Sequence, residues 1–329
     1  MDSGRLVYMN GEYVAEKDAK ISIFDSALMF GDMVFEMTRS FNQKQHKLRE
    51  HLERLYRGIK ILKIPIRQSI DELEDICYKT IEKNMPVFDE HDEHRLLINV
   101  SRGPLGLYSA IFDNKLEPTV IVADFPLKWT VAGMDELIDD GIHAVVVSQR
   151  AIPADLMEPK IKNRSRLFYQ MANIEAANWK GKNNWAVLLG TDGFITEGTG
   201  DNIFFVKNDT VYTPEPRDIL VGIARNDIIE ICDELAIPCI EKNMGTYEAY
   251  DADECFMTAT PFCILPVTYF NSYKLGNGKM GKVTKKLHDK WSEMVGMNIH
   301  QQIRDYSAEV DRLNKSQPTP YQFDHQDEE

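Results

Sequence analysis

Residues 159–165 read Pro159-Lys160-Ile161-Lys162-Asn163-Arg164-Ser165 and place two lysines between a predicted strand and a predicted helix. The apolar, β-branched run Ala144–Ser148 before them indicates a buried strand. The run Leu167–Trp179 after them has helical spacing. A single lysine in such a position is usually a solvated surface charge, so chemistry at either lysine requires further groups elsewhere in the chain.

Two later segments supply an acid and an anion site. Residues 195–202, Ile-Thr-Glu-Gly-Thr-Gly-Asp-Asn, put Glu197 in a glycine-bordered turn beside apolar strands. Residues 220–225, Leu-Val-Gly-Ile-Ala-Arg, open a helix whose first N–H groups lack intrahelical partners. A lysine, a carboxylate and a phosphate cradle are the parts of a pyridoxal phosphate site. None of the three segments is specific alone.

Six motifs follow one another from about Tyr8 to about Lys286. They are Phe30-Gly31-Asp32 with Val34-Phe35-Glu36, Glu50-His51-Leu52-Glu53-Arg54-Leu55, Ile161-Lys162, Thr196-Glu197-Gly198 with Asn202-Ile203-Phe204, Ile219-Leu220 with Gly222-Ile223 and Arg225, and Thr258-Ala259-Thr260 with Pro266-Val267. Their joint order resembles the class IV aminotransferases, which are fold-type IV pyridoxal phosphate enzymes and include branched-chain aminotransferase, D-amino-acid aminotransferase and aminodeoxychorismate lyase. The resemblance implies a two-domain α+β or α/β protein with the D-amino-acid-aminotransferase-like fold.

The resemblance implies roles for two residues that would act on the cofactor, pyridoxal 5′-phosphate. Lys162 matches the catalytic Schiff-base lysine, and the family's Ile-Lys pattern favours it over Lys160. Glu197 matches the acid that pairs with the pyridine nitrogen. No metal ligand is expected, because the cysteines lack metal-ligand spacing.

The resemblance also implies a phosphate site. Arg54 matches the arginine that grips the phosphate, and its planar fork suits phosphate oxygens. Ile223 and Ala224 are expected to give backbone N–H groups to the phosphate. Thr260 is expected to give a hydroxyl and an N–H group.

Five residues are expected to line the substrate pocket: Phe30, Phe35, Met37, Arg39 and Leu107. The branched-chain enzymes have a tyrosine where Phe30 stands and a glycine where Met37 stands. The D-amino-acid enzymes place an arginine and a histidine after the segment that matches Arg102-Gly103, whereas residues 104–108 here read Pro-Leu-Gly-Leu-Tyr. Pro261 has no N–H group to offer a substrate carboxylate. The carboxylate-binding part therefore departs from each subgroup.

The function implied is a class IV transaminase that works by a ping-pong mechanism. The apolar pocket residues favour a branched-chain or other apolar amino acid as donor and a 2-oxo acid as acceptor. Two alternatives on the same fold stay open. An aminodeoxychorismate-type lyase is suggested by Gly106 and Tyr108 after Arg102-Gly103, and a primary-amine transaminase is suggested by the missing carboxylate arginine. A non-catalytic, cofactor-binding protein is disfavoured because both Lys162 and Glu197 are present.

Composition limits the partners and the location. The net charge of −14 disfavours nucleic acid and anionic lipid. The five cysteines are expected to be buried thiols in a reducing cytoplasm. The first five residues lack a signal-peptide pattern, and no apolar run is long enough to span a bilayer. The resemblance implies a homodimer or a higher homo-oligomer.

The pattern along the chain predicts four regions. Residues 1–125 are expected to form a small N-terminal α/β domain, 126–136 a linker, and 137–300 a large C-terminal cofactor-binding domain with a β-barrel-like core. Residues 301–329 are expected to form an extension whose polar tail is disordered. The predicted elements of the first domain are strands Arg5–Met9, Glu12–Ala15, Ile21–Phe24, Val34–Phe41, Arg95–Val100 and Thr119–Ala123, with helices Glu50–Leu62 and Ile70–Lys83.

Overall fold

The computed structural model describes residues 4–310, which form two compact units. The first unit runs to Leu127 and also takes in the segment Ile161–Arg166. The second comprises Lys128–Lys160 and the chain from Leu167 onward. The predicted limits 1–125, 126–136 and 137–300 stay a prediction. The predicted disorder of the tail concerns residues that lie outside the described part of the chain.

The first unit contains the strands β1 (Leu6–Met9), β2 (Glu12–Ala15), β3 (Met33–Met37), β4 (Ser40–Phe41), β5 (Lys44–Gln45), β6 (His94–Ser101) and β7 (Thr119–Pro126). Five of them form an antiparallel sheet in the order β2-β1-β7-β6-β3. The predicted hairpin between β1 and β2 is present, with positive φ at both Asn10 and Gly11. The short pair β4–β5 forms a separate hairpin.

Two long helices pack against this sheet. The helices of the unit are α1 (Ser26–Phe30), α2 (Leu48–Leu62) and α3 (Ile70–Asn84), with 3₁₀ turns at Glu16–Asp18, Met85–Val87 and Gly106–Phe112. Leu52 and Leu55 of α2 and Leu73 of α3 are buried in one apolar core with Val34 of β3. The apolar residues recur at helical spacing, so α2 and α3 each bury one side and leave charged residues in solvent. The Ser69 capping box fixes the start of α3.

The second unit contains a nine-stranded mixed sheet in the order β10-β9-β8-β15-β14-β11-β12-β13, with β16 paired to β15. Its strands are β8 (Ile142–Arg150), β9 (Asn184–Leu189), β10 (Ile195–Gly198), β11 (Asn202–Lys207), β12 (Thr210–Thr213), β13 (Cys239–Glu241), β14 (Glu254–Ala259), β15 (Cys263–Phe270) and β16 (Tyr273–Lys274). Its helices are α4 (Lys128–Val131), α5 (Asp135–Asp139), α6 (Leu167–Ala177), α7 (Ile223–Glu234), α8 (Thr246–Tyr250), α9 (Lys282–Met294) and α10 (Ile299–Glu309).

Three stretches differ from the sequence-based prediction. The predicted strand Ile21–Phe24 is wrong, because Ser22 folds the chain back: its hydroxyl accepts from Phe24 N and its carbonyl accepts from Asp25 N. The predicted strand Val34–Phe41 is divided into β3 and β4, because Thr38 N still donates to the Leu96 carbonyl of β6 whereas the Arg39 carbonyl accepts from His46 N next to β5. Residues 128–131 and 135–139 are helical, and residues 301–309 lie in α10. None of the helices between residues 4 and 310 combines the length and apolarity of a bilayer-crossing helix.

Candidate active site

The segment Ile161–Arg166 runs antiparallel beside β3 in the first unit. Phe35 N donates to the Lys162 carbonyl at 2.9 Å, and Arg164 N donates to the Met33 carbonyl at 2.9 Å. Such alternating backbone bonds are the pattern of an antiparallel ladder. The lysine motif is therefore positioned by a buried strand that lies far from it in the sequence.

The two lysines of the motif have different surroundings. Lys162 is half-buried, and its Nζ lies 4.9 Å from the centroid of the Phe35 ring. Lys160 is exposed, and its Nζ donates to the Glu158 carboxylate at 3.1 Å. A reactive group must be held by packed neighbours rather than solvated. The geometry thus supports Lys162 over Lys160.

Arg54 of α2 is held by a buried carboxylate. Its Nε and Nη2 donate to the two oxygens of Glu36 at 2.7 Å each, and His51 Nδ1 donates to Glu36 Oε2 at 2.7 Å. Burial alone would raise the pKa of Glu36, but the charge of Arg54 and the bond from His51 outweigh it and hold that pKa well below its usual range. Burial lowers the pKa of His51, so this ring is neutral at pH 7. Arg54 is therefore fixed in place as a charged group.

Phe35 and Met37 are two residues apart in β3, so their side chains lie on the same face of the strand. The Arg164 guanidinium lies 3.6 Å from the Phe35 centroid and donates to Asn99 Oδ1 at 2.9 Å. Burial first, and then the charge of Arg166, lowers the pKa of Arg164 to about 10. The guanidinium stays charged at pH 7 and bonds a neutral amide.

Two more arginines of the first unit, Arg95 and Arg39, are buried. Arg95 Nη2 is 3.6 Å from the Met37 sulfur, and its Nε and Nη1 are buried without a hydrogen-bond partner among residues 4–310. Burial, followed by the charge of Arg39, lowers the pKa of Arg95 to about 9. Arg39 is buried, with its guanidinium 3.8 Å over the Phe41 ring. A buried cation with unsatisfied N–H groups is costly and points to an anionic partner.

The remaining predicted pocket residues are at the surface of the first unit. Phe30, at the end of α1, is 66% exposed, and Leu107, in the 3₁₀ turn Gly106–Phe112, is 74% exposed. Phe35 and Arg39 are buried and Met37 is half-buried. The structure thus places Phe35 and Met37 on one face of β3, packs Arg39 against Phe41, and leaves Phe30 and Leu107 in solvent.

In the second unit, Glu197 of β10 is buried and held by three donors. Tyr169 of α6 donates its hydroxyl to Oε1 at 2.8 Å, and Asn202 Nδ2 and Leu220 N donate to Oε2 at 3.0 and 3.1 Å. Carboxylates that accept several hydrogen bonds are stabilised in the charged form. Burial, and then the charge of Glu197, raises the pKa of Asp201 to about 8, so this neighbour is neutral at pH 7. The negative charge is therefore concentrated on Glu197.

Helix α7 begins directly beside Glu197. Its first residues, Ile223 and Ala224, are buried, and Gly222 caps the helix without a side-chain hydrogen bond. A Cβ at Gly222 would lie 2.2 Å from Asn202 Oδ1, so this position requires glycine. The first N–H groups of a helix and its dipole attract anions. The predicted phosphate donors thus lie at a helix start that Asn202 packs against.

Thr260 lies in the turn between β14 and β15, where it is half-buried. Thr258, two residues earlier, pairs with Asn202 across β14 and β11. Thr260 therefore follows β14, the strand that pairs with β11 at Asn202. Asn202 also lies against the start of α7.

These residues fit pyridoxal phosphate as a ligand. A held carboxylate suits a protonated pyridine nitrogen, and a glycine-requiring helix start suits a phosphate group. Lys162 is an amine held against a packed strand, as an imine-forming lysine must be.

Sequence reasoning missed Glu36, Tyr169 and Arg95 as individual residues of the candidate site. Glu36 stands inside the quoted motif Val34-Phe35-Glu36, so the signal was present. Tyr169 and Arg95 read only as members of a helix and a strand. Their roles arise from contacts across the sheet and helix, which no local pattern contains.

Comparison with known proteins places these features in a family. The family model for amino-transferase class IV matches residues 33–270. A Methanocaldococcus jannaschii protein with the provisional name branched-chain-amino-acid aminotransferase is 36% identical over 290 residues, which is 88% of this chain and 96% of that protein. The branched-chain-amino-acid aminotransferase of Escherichia coli K12 is 32% identical over 294 residues, 85% of this chain and 90% of that protein.

Solved structures agree. The Escherichia coli branched-chain amino acid aminotransferase crystal structure superposes with a TM-score of 0.78 at 27% identity, covering 96% of this chain and 100% of that one. A T.th. branched-chain amino acid aminotransferase with pyridoxamine 5′-phosphate gives 0.78 at 26% identity, covering 93% and 97%. The predicted fold-type IV class and the predicted transaminase activity are confirmed. The chain therefore belongs to the amino-transferase class IV family, whose members are pyridoxal-phosphate-dependent enzymes.

Proposed function

We propose that this transaminase moves the amino group of a branched-chain or other apolar amino acid to a 2-oxo acid by a ping-pong mechanism. The names of the relatives support the substrate class. The observation that carries the proposal is the contact of buried Arg95 in β6 with Met37, which lies on the same face of β3 as Phe35.

Bound pyridoxal phosphate supplies an electron sink for the charge that develops at the substrate α-carbon. Lys162 would hold the cofactor through its amine and would serve as the base for the proton at the substrate α-carbon. Glu197 would keep the pyridine nitrogen protonated. Arg54, Ile223, Ala224 and Thr260 would hold the phosphate.

The arginines provide the positive charge that a substrate carboxylate needs. Arg95 has buried N–H groups without a partner in the described chain, and a carboxylate would satisfy them. A carboxylate-binding arginine favours amino acids and 2-oxo acids over simple amines. Arg95 of β6 would thus take the place of the arginine that is missing from residues 104–108.

Phe35 and Met37 supply the apolar wall for the donor side chain. Both side chains lie on one face of β3, where Phe35 contacts Lys162 and Met37 contacts Arg95. An apolar wall next to a fixed charge selects a substrate that is apolar at one end and anionic at the other.

We further propose that the enzyme is a homodimer in which Phe30 and Leu107 serve the partner's pocket. These side chains belong to an exposed apolar patch formed by Ile23, Leu28, Phe30, Leu107 and Ile111. The rings of Phe24 and Tyr108 lie with their centroids 4.7 Å apart at a tilt of 41°, and Ser26 N donates to the Gly103 carbonyl at 3.0 Å, so the two segments that carry the patch are joined. Exposed apolar surface of this kind is typical of protein interfaces.

The test is a half-reaction screen of the cofactor-loaded protein against L- and D-amino acids and simple amines, followed by the loss of the bound cofactor's absorbance. We expect conversion with branched-chain amino acids and none with Lys162→Ala. Arg95→Met should raise KM for carboxylate substrates about 10- to 100-fold, since a charged hydrogen bond is lost, whereas Arg67→Met at an exposed ion pair should not. Turnover of amines but not of amino acids, or pyruvate release from aminodeoxychorismate without a 2-oxo acid, would refute the proposal.

A further inference from the structure

A lysine-rich cleft lies in the second unit, between the start of β8, the loop before β9 and the β15–β16 hairpin. Its volume is about 610 Å³, which is within the range of small-molecule sites. Its charged lining residues are Lys180, Lys182, Lys274, Lys279 and a single carboxylate, Asp140. The chain as a whole carries 52 acidic and 38 basic residues, so this concentration of positive charge runs against the overall composition.

The walls of the cleft are fixed by hydrogen bonds. Thr268 Oγ1 donates to the Asp140 carbonyl at 2.6 Å, and Ser272 N donates to His143 Nε2 at 2.8 Å. Gly141 has a φ of +76°, and a Cβ there would lie 2.3 Å from Thr268. The lysines thus extend from a backbone that is held by packing and hydrogen bonds. His143 Nδ1 carries the ring proton because Nε2 accepts a hydrogen bond.

Neighbouring acids only partly offset the lysines. Lys182 Nζ pairs with Asp140 at 2.5 Å, and Lys279 Nζ donates to the Asp139 carbonyl at 2.9 Å. The Asp139 carboxylate pairs with Arg304 at 2.6 Å and so does not neutralise the cleft. Glu136 adds a further negative charge near Lys182.

Two of the lysines have no acidic partner in the described part of the chain, so a ligand can bind to their charged groups. Neither Lys180 nor Lys274 forms an ion pair or a side-chain hydrogen bond with any residue between positions 4 and 310. Like charges brought together repel one another, and this cost falls when an anion binds between them. Lysines are compact, strongly hydrated point charges that suit phosphate oxygens in several orientations.

We propose that this cleft binds a phosphorylated small molecule that carries two or more negative charges, at a site separate from the cofactor phosphate. The lysines contact the phosphate oxygens, and His143 and the exposed ring of Tyr269 line the same cleft. Binding here is independent of the transaminase substrate.

The test uses the full chain loaded with pyridoxal phosphate, so that the cofactor phosphate site is filled. Pyrophosphate is titrated by calorimetry at low and at high salt. We expect saturable binding of one pyrophosphate per chain that weakens as salt rises. The double variant Lys180→Ala/Lys274→Ala should weaken binding about tenfold or more, and the matched variant Lys20→Ala/Lys79→Ala, at exposed lysines of the first unit, should not.

A second measurement locates the ligand without relying on the variants. Acetylation of lysines is mapped by mass spectrometry with and without pyrophosphate, and selective protection of Lys180 and Lys274 is expected. Equal weakening in both double variants, or uniform protection of surface lysines, would mean an adventitious ion only and would overturn the proposal. Tighter binding of citrate than of pyrophosphate would overturn the assignment to phosphate compounds.

Discussion

At the residue scale, Glu36 is the group that fixes Arg54. The carboxylate is completely buried and accepts from Arg54 Nε, Arg54 Nη2 and His51 Nδ1. A guanidinium held at two of its nitrogens has few alternative orientations, so the proposed role of Arg54 at the cofactor phosphate would require no reorientation of its side chain.

Replacing Glu36 by glutamine should therefore destabilise the protein. Leaving Arg54 buried without its counter-charge is expected to lower the free energy of unfolding by about 3–5 kcal/mol, measured by urea denaturation. The matched change is Glu117→Gln, which breaks the exposed pair with Arg67 and should cost less than about 1 kcal/mol. Equal losses in the two variants would contradict the role given to Glu36.

Glu197 offers a test of the proposed pyridine partner. Glu197→Gln removes the negative charge and should lower kcat by about 10²-fold or more, as measured in steady-state assays. Tyr169→Phe removes one neutral donor to Glu197 and should cost about fivefold, equivalent to about 1 kcal/mol. A glutamine variant with full activity would show that Glu197 does not hold the pyridine nitrogen charged.

At the scale of elements, the start of α7 depends on the close approach of Asn202 to Gly222. Gly222 lets Asn202 reach both Glu197 and the Leu220 carbonyl, at 3.0 Å each. One amide thereby links the acid of β10 to the loop that opens the helix. The carboxylate and the helix start cannot shift independently.

Gly222→Ala should consequently weaken cofactor binding. The new Cβ would displace Asn202, and we expect the Kd for pyridoxal phosphate to rise about tenfold, measured by absorbance titration of the apoprotein. Gly245→Ala is the matched control, since Gly245 also caps a helix, α8, and its nearest contact at 3.5 Å leaves room for a Cβ. A similar rise in both variants would indicate a general loss of stability instead.

At the scale of the whole molecule, buried histidines couple folding to pH. Burial first, and then the charge of His288, lowers the pKa of His300 to about 3, and the two rings stack at 3.6 Å. The unfolded chain binds a proton at His300 below about pH 6.5, whereas the folded chain does not until about pH 3. The unfolded state thus holds more protons in this window, and the contribution of His300 to stability falls as pH decreases.

His300→Gln keeps a donor for the Ile264 carbonyl and removes this titration. Wild-type protein should lose more unfolding free energy than the variant between pH 6.5 and 5, by up to about 1.4 kcal/mol per pH unit. Asp201, whose pKa is raised, acts in the opposite direction, so the difference between the two proteins is the quantity to measure. Parallel pH profiles of the two proteins would refute the assignment.

The exposed apolar patch is the proposed dimer interface, and charges placed on it should prevent dimer formation. Leu28→Glu/Ile111→Glu places two charges on it and should convert the proposed dimer to monomer, measured by light scattering after gel filtration. Ile61→Glu, at an exposed isoleucine of α2, should leave the mass unchanged. A monomeric wild-type protein would refute the proposed homodimer, and with it the role of Phe30 and Leu107 in a partner's pocket.

The sequence alone determined the elements with strong periodicity and the kinds of chemical group in the site. Ile70–Asn84 and the hairpin at Asn10-Gly11 follow from local patterns, because apolar spacing and turn residues act over a few positions. Tertiary structure alone decided that Ile161–Arg166 lies along β3 and that Arg95 lies beside Met37. It also decided that Arg54 donates its hydrogen bonds to the buried carboxylate of Glu36. These contacts join residues far apart in the chain, and their free energy comes from burial and charge pairing that exist only once the sheet has formed.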